Sequence, residues 1–378
     1  MRRVEHELLS PSLGSRKNLV SFHYGTPGAR PKVYIQASLH AEELPGMLVA
    51  HHLRSLLDRA EAAGALAGEV VLVPAANPIG LGQRIDHHAQ GRFEFDSSEN
   101  FNRHYPDLAD AVWATLSPRL GDDPQKNVAL VREAVGAWLQ DWQPQTELQS
   151  LRRQLLILAH DADVVLDLHC DCEAVLHLYS EDACWPPLEP LARLLQAKAV
   201  LLARESGGGP FDERLSGLWW QLRDRMVASG MPDALKQACA STTIELRGET
   251  DVRHEFAEQD AAAILGYLVH LGVVLGDRPT LPPLPCSPTP LSGSQTLRSP
   301  VPGVLALLAK PGEVVQAGQV VAEVIDPTAE DQSRVWPVCA EVTGVLYATV
   351  RERYLHAGGE IGKIAGATPF RTGDLLGA

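Results

Sequence analysis

The residues best suited to chemistry lie in two stretches, Ser38-Leu39-His40-Ala41-Glu42-Glu43 and Asp167-Leu168-His169. Imidazole nitrogen and carboxylate oxygen are both zinc donors, and a catalytic zinc takes three protein ligands and keeps one position open for water. His40-x-x-Glu43 offers two donors and His169 a third. A short His-x-x-Glu arises readily by chance in a chain with 14 histidines, and taken alone it reads as a polar loop with a solvated histidine. Position separates the two readings. Val33-Tyr34-Ile35 precedes His40, Val164-Val165-Leu166 precedes His169, and Thr242-Thr243-Ile244 runs directly into a further carboxylate, Glu245. Open α/β sheets gather their ligands at the carboxyl ends of the strands, so three apolar runs ending in donors point to one site. The expectation is one zinc per chain on His40, Glu43 and His169.

The elements that must hold these groups follow from periodicity. Lys32 to Ala37, Glu69 to Pro74, the run up to His169, Val175 to Tyr179, Ala199 to Ala203 and Thr242 to Leu246 read as strands. Apolar residues at helical spacing predict helices over 44–63, 124–142, 146–159, 187–197, 212–229 and 255–271, with Pro45 tolerated in a first turn. Val4 to Tyr24 is mixed and reads as edge strands. Alternating strands and helices imply a mostly parallel sheet covered on both faces. Between Asn77-Pro78 and Tyr105 the pattern lapses, and a loop so long inside a compact domain is functional or disordered. Its content favours function: Arg84, Arg92, Asn100, Asn102 and Arg103. Ser206-Gly207-Gly208-Gly209-Pro210 lacks the spacing of a phosphate loop and reads as a connector or a substrate-covering loop.

At 378 residues the chain exceeds the usual size of one core. Six prolines between Asp277 and Ser294 mark a linker, dividing a catalytic part, 1–276, from a small all-β part, 295–378, rich in valine and in glycine turns. A net charge of -14 argues against nucleic-acid or anionic-membrane partners, which call for concentrated positive charge. No apolar run reaches transmembrane length and the first twenty residues lack a signal-peptide core, so a cytoplasmic location is expected. The six cysteines are scattered as reduced thiols would be. Cys170-Asp171-Cys172 invites a sulfur-ligated site, but on a strand Cys170 faces away from His169, and the chain lacks paired Cys-x-x-Cys units.

Taken together, His40-x-x-Glu43, Asn77-Pro78, Asn102-Arg103, Asp167-Leu168-His169 and Ile244-Glu245 resemble the succinylglutamate desuccinylase/aspartoacylase family, relatives of the zinc carboxypeptidases. The resemblance covers about residues 30 to 275. It implies a zinc-carboxypeptidase-like α/β fold, with His40, Glu43 and His169 on zinc and Glu245 as general base and acid. It further implies amide cleavage of a small N-acyl amino acid whose carboxylate is gripped by Asn102 and Arg103. Arg92 resembles the arginine that steadies the oxyanion, and Arg84 is the alternative. An arginine and a tyrosine that serve acidic acyl groups in the family have no counterpart upstream of Glu245, where Phe211, Trp219, Trp220 and Lys236 stand. Trp219-Trp220 could line an apolar pocket or pack in the core.

The C-terminal part resembles a biotinyl/lipoyl-like barrel, but Glu323 to Thr328 carries no lysine for a cofactor arm. Steric gating or dimer contact is its expected role, which leaves a homo-oligomer open. Two further readings stand beside the deacylase: a zinc carboxypeptidase acting on short peptides, and a binding protein that has lost catalysis.

Overall fold

The computed structural model describes residues 1–331 and 334–376. Its centre is a nine-stranded sheet in the order Arg2–Glu7, Asn18–Tyr24, Glu69–Val73, Lys32–Ala37, Val164–Asp171, Ala240–Gly248, His177–Glu181, Ala199–Ala203, Thr289–Pro290. Glu69–Val73, Lys32–Ala37, Val164–Asp171 and Ala240–Gly248 run parallel. The first two strands form an antiparallel edge, and His177–Glu181 turns antiparallel to Ala240–Gly248. Every residue of Lys32–Ala37 and Glu69–Val73 is buried, as strands covered on both faces must be.

Side chains on a strand alternate between faces, and that alternation builds two cores. Tyr34, Val71, Val73 and Val165 pack with Leu39 under helices Leu108–Leu116, Pro124–Asp141, Glu147–Ala159 and Phe211–Ala228. Val33, Ile35, Leu72, Leu166 and Leu168 pack under helices Pro45–Ala62, Trp185–Leu195 and His254–His270. The mixed sheet with helices on both faces agrees with the expected fold class. Helix Leu108–Leu116 escaped the periodicity reading because it has only nine residues and follows a long irregular loop; its start is set by Asp107, whose side chain accepts the Asp110 N–H. Within that loop lie a 3₁₀ turn at Gly80–Gly82, a small ribbon pairing Arg84–Ile85 with His88–Ala89, and a bridge between Phe93 and Asn100.

Past the proline-rich stretch, two antiparallel sheets enclose a core of Leu305, Val315, Val321, Val324, Leu346, Ile361 and Ile364. The stretch itself is not a free spacer: Thr289–Pro290 extends the large sheet beside Leu201 and Leu202, and Arg193 donates to the carbonyls of Leu281 and Pro282. The β part is also sewn to the N-terminal part directly downstream of His169. Glu173–Ala174 pairs with Ala348–Thr349, the Arg353 guanidinium meets Glu173 at 2.6 and 2.8 Å, and Arg351 meets Glu249 at 2.8 Å. Tyr179, Leu201, Leu291, Tyr347 and Ala348 form a further small core across the seam.

A chain ended after Gly276 would return Tyr179 and Leu201 to water, at about 1.5–3 kcal/mol for each large side chain. Its thermal midpoint, followed by circular dichroism, should fall well below that of the full chain; an unchanged midpoint would mean that the seam adds no stability.

Candidate metal centre and the cleft around it

The strand Lys32–Ala37 ends in a tight reversal in which Ser38 takes a left-handed φ of 58° and its hydroxyl donates to the Glu43 carbonyl at 2.7 Å. Asn77, from the Asn-Pro pair, donates to the Leu39 carbonyl at 2.9 Å and accepts the Gly80 N–H at 2.8 Å. The Ala41 N–H donates to the Gly91 carbonyl at 3.0 Å. A Cβ on Gly91 would come within 2.4 Å of the Glu42 nitrogen, so only glycine lets the long loop lie this close. These backbone contacts fix the turn that presents His40 and Glu43. On the neighbouring strands, Ala37 stands level with Leu168 and His169 with Glu245, so all four groups meet at one sheet edge.

Glu43 is the hub. One carboxylate oxygen lies 2.9 Å from His40 Nδ1 and the other 2.7 Å from His169 Nδ1, all three residues being buried. The remaining ring nitrogens are engaged behind them: His40 Nε2 lies 2.9 Å from Asn100 Oδ1, and His169 Nε2 lies 3.1 Å from Asp167 Oδ2. Asp167 is steadied in turn by Gln36 at 3.0 Å, and Gln36 by the Tyr34 hydroxyl at 2.8 Å. Such outer partners orient the rings with Nδ1 toward the shared carboxylate, where a cation would bind by displacing any Nδ1 proton. Burial, helped by the Arg92 charge, holds His40 down to about 4, so it is neutral at pH 7 as a ligand must be. Glu43, though desolvated, is held well below the usual carboxylate range by the two imidazoles. His169 is desolvated as well, yet Asp167 and Glu43 hold it well above its ordinary value as a proton-bearing group between two carboxylates. Two nitrogens and a carboxylate converging without a sulfur donor match a zinc-type donor set. Cys170 is not one of them; burial first, and then Glu43, push its thiol far up.

The three donors open into a cavity of about 420 Å³. Arg92 reaches it, with Nη1 3.1 Å from His40 Nδ1 and Nη2 3.5 Å from Glu43 Oε1. Glu245 reaches it too, with one carboxylate oxygen buried and unpartnered. Arg247, the obvious structural partner for Glu245, instead forms a two-pronged pair with Asp260 at 2.7 and 3.0 Å. Burial, reinforced by Glu43, pushes the Glu245 carboxyl up to about 8, while His169 and Lys363 pull the other way. Arg103 and Asn102 line the cavity, but the Asn102 side chain is occupied: its oxygen accepts the Phe211 N–H at 2.9 Å at the start of helix Phe211–Ala228. Arg84 stands apart, exposed on the small ribbon and donating to the His87 carbonyl at 3.2 Å. Trp219 is buried in the core, and Trp220 bonds Glu181 at 3.3 Å outside the cavity lining.

Sequence reasoning missed the opposite wall. Tyr347, Thr349, Lys363 and Arg371 of the C-terminal part face the same cavity, and Lys363 donates to Asp171, two residues past His169, at 2.8 Å. The positions bore no motif; the one available signal was a lysine and a tyrosine on otherwise apolar β segments.

A family description, the succinylglutamate desuccinylase/aspartoacylase catalytic domain, matches residues 29–129, a span holding His40, Glu43, Arg92, Asn102 and Arg103. That span is about a quarter of the chain, and over it the chain is similar to the succinylglutamate desuccinylase/aspartoacylase family. A solved structure assigned to this family from Shewanella amazonensis superposes with a TM-score of 0.82 at 26% identity, covering 97% of this chain and 98% of that one. Another, from Shewanella frigidimarina, gives 0.83 at 24% identity over 97% of both chains. The ectoine utilization protein EutE (DoeB) from Ruegeria pomeroyi gives 0.65 at 15% identity, over 97% of this chain and 95% of that one, a likeness of fold alone. No curated protein matches the chain in sequence. Among the described residues no helix is long and apolar enough to cross a membrane.

Asp167→Asn keeps the shape but weakens the hold on His169 Nε2. Loss of such an outer partner typically lowers metal affinity by about 10–100-fold. A competition titration with a zinc chelator measures this, and an unchanged affinity would remove Asp167 from the support of His169.

Proposed function

We propose that the protein is a zinc-dependent amidohydrolase that removes the acyl group from a small N-acyl amino acid. The observation that carries this reading is Glu245: a carboxyl group with one buried, unpartnered oxygen, placed level with His169 and facing the cavity into which His40 and Glu43 also open. A buried carboxyl without a partner is costly in a purely structural role and useful in proton transfer.

His40, Glu43 and His169 would hold the metal. Zinc supplies a Lewis acid for the scissile carbonyl and lowers the pKa of water toward neutrality. Glu245 takes the proton from the attacking water and passes it to the departing amine; burial holds its carboxyl up at about 8, and a nearby divalent charge would favour its ionised form. Arg92, beside His40 and Glu43, supplies positive charge for the oxygen that becomes anionic. Arg103, whose Nη1 donates to the Asn102 carbonyl at 2.8 Å, lines the cavity as a cation for the substrate carboxylate, and Asn102 orders the start of the helix behind it. Lys363, desolvated yet held up by Asp171, is a fixed cation on the far wall.

Substrate size follows from that wall. A cavity of about 420 Å³, closed on one side by the C-terminal sheet, suits a compact ligand better than an extended peptide. N-acyl amino acids should therefore exceed peptides of four or more residues in kcat/KM, when a panel of both is assayed on protein of measured zinc content. Equal rates for long peptides would favour a carboxypeptidase, and no hydrolysis by zinc-loaded protein would favour a binding role.

Glu245→Gln should lower kcat by at least about a hundredfold, the ordinary contribution of a positioned general base, with zinc content unchanged. Wild-type turnover in that variant would place the base elsewhere.

A further inference from the structure

A second group of donors lies away from the cleft, where helix Pro45–Ala62 crosses helix His254–His270. The two helices share the core beneath the sheet, with Val49, Leu53 and Leu57 on one and Ala257, Ala261 and Ile264 on the other. At the outer rim of that packing, His52 Nε2 faces His254 Nδ1 at 2.9 Å, with the rings edge to face and their centres 5.1 Å apart. Glu258 stands one turn beyond His254 on the same helix, its carboxylate 3.8 Å from His52 Nδ1, the ring nitrogen that does not face His254. One donor atom from each of the three lies within 4.8 Å of the others.

We propose that His52, His254 and Glu258 form a second, surface site for a borderline divalent cation, with zinc as the reference ion. Imidazole and carboxylate are the donors such ions prefer. His254 and Glu258 are four residues apart, so both project from one face of a helix, and His52 comes from the neighbouring helix, which makes the site a bridge between two elements. Zinc–nitrogen bonds of about 2.0–2.1 Å at a tetrahedral angle set two ligand nitrogens about 3.3 Å apart, so the present 2.9 Å has only to open by a few tenths of an ångström. Half-exposed surroundings leave room for water to complete the shell, and the net charge of -14 draws cations to the surface. Without the ion, the facing nitrogens can share only one hydrogen; with it, both lone pairs are used.

The consequence is mechanical. The first helix begins directly after Glu43 and the second follows the strand that carries Glu245, so an ion here ties together the two helices that flank the catalytic groups in the chain. The clip binds the folded state and raises its thermal midpoint by mass action.

Zinc stoichiometry of the full chain, measured after dialysis against low micromolar zinc, tests the site. Wild-type protein should hold two ions, and His254→Ala and Glu258→Ala one each, with a smaller zinc-induced rise in thermal midpoint and unaltered kcat. His169→Ala should also hold one, and combined with His254→Ala none. If His254→Ala and wild type bind the same number of ions with the same thermal rise, the surface site does not exist. The arms separate the two metal claims: a wild-type count of one that falls to zero in His254→Ala upholds the surface site and sinks the catalytic one. If Glu258→Ala binds like wild type while His254→Ala does not, the site as assigned is also wrong.

Discussion

A single carboxylate facing two imidazoles at close range is the constraint around which the edge of the large sheet is arranged. Glu43 is buried with an oxygen within 3 Å of each ring, so any shift of one strand end relative to the other would leave a charge or a hydrogen-bonding nitrogen unmatched in a desolvated place. Parallel pairing answers this demand, because it brings the carboxyl ends of Lys32–Ala37 and Val164–Asp171 to one edge in fixed register. Irregular backbone answers the rest. Ser38, Asn77 and Gly91 each hold part of the turn, through the backbone groups of Glu43, Leu39 and Ala41.

The same register explains what could be read in the sequence. Short apolar runs give strands, and donors just past them fall at the sheet edge, so His40, Glu43, His169 and Glu245 were legible together and not singly. Asn77 was legible as a motif, yet only the structure gives it a task, which is holding the Leu39 carbonyl. Arg84 and Arg92 were indistinguishable in sequence because both sit in a loop without periodicity; a two-stranded ribbon turns Arg84 outward, and the bridge of Phe93 to Asn100 fixes Arg92 inward. The proline-rich stretch read as a spacer because composition reports stiffness and not what lies alongside, and here an open sheet edge lies alongside.

The far wall was illegible for a different reason. Lys363 and Tyr347 reach the cleft through a packing of two sheets whose contacts join positions far apart in the chain, as between Asp171 and Lys363. No local pattern encodes such a meeting. A lysine placed on a buried strand is the physical trace it leaves, since an unpaired ammonium there would be too costly to keep.

The pairing of Glu173–Ala174 with Ala348–Thr349 bears on the order of folding. Contacts of such long sequence separation close large loops and form late, after the local helices and the parallel strands have condensed. While the ribosome is still adding the last sheets, the nascent catalytic part presents its donor cluster with one wall missing. The donor cluster therefore gains its far wall only when the end of the chain has folded against it.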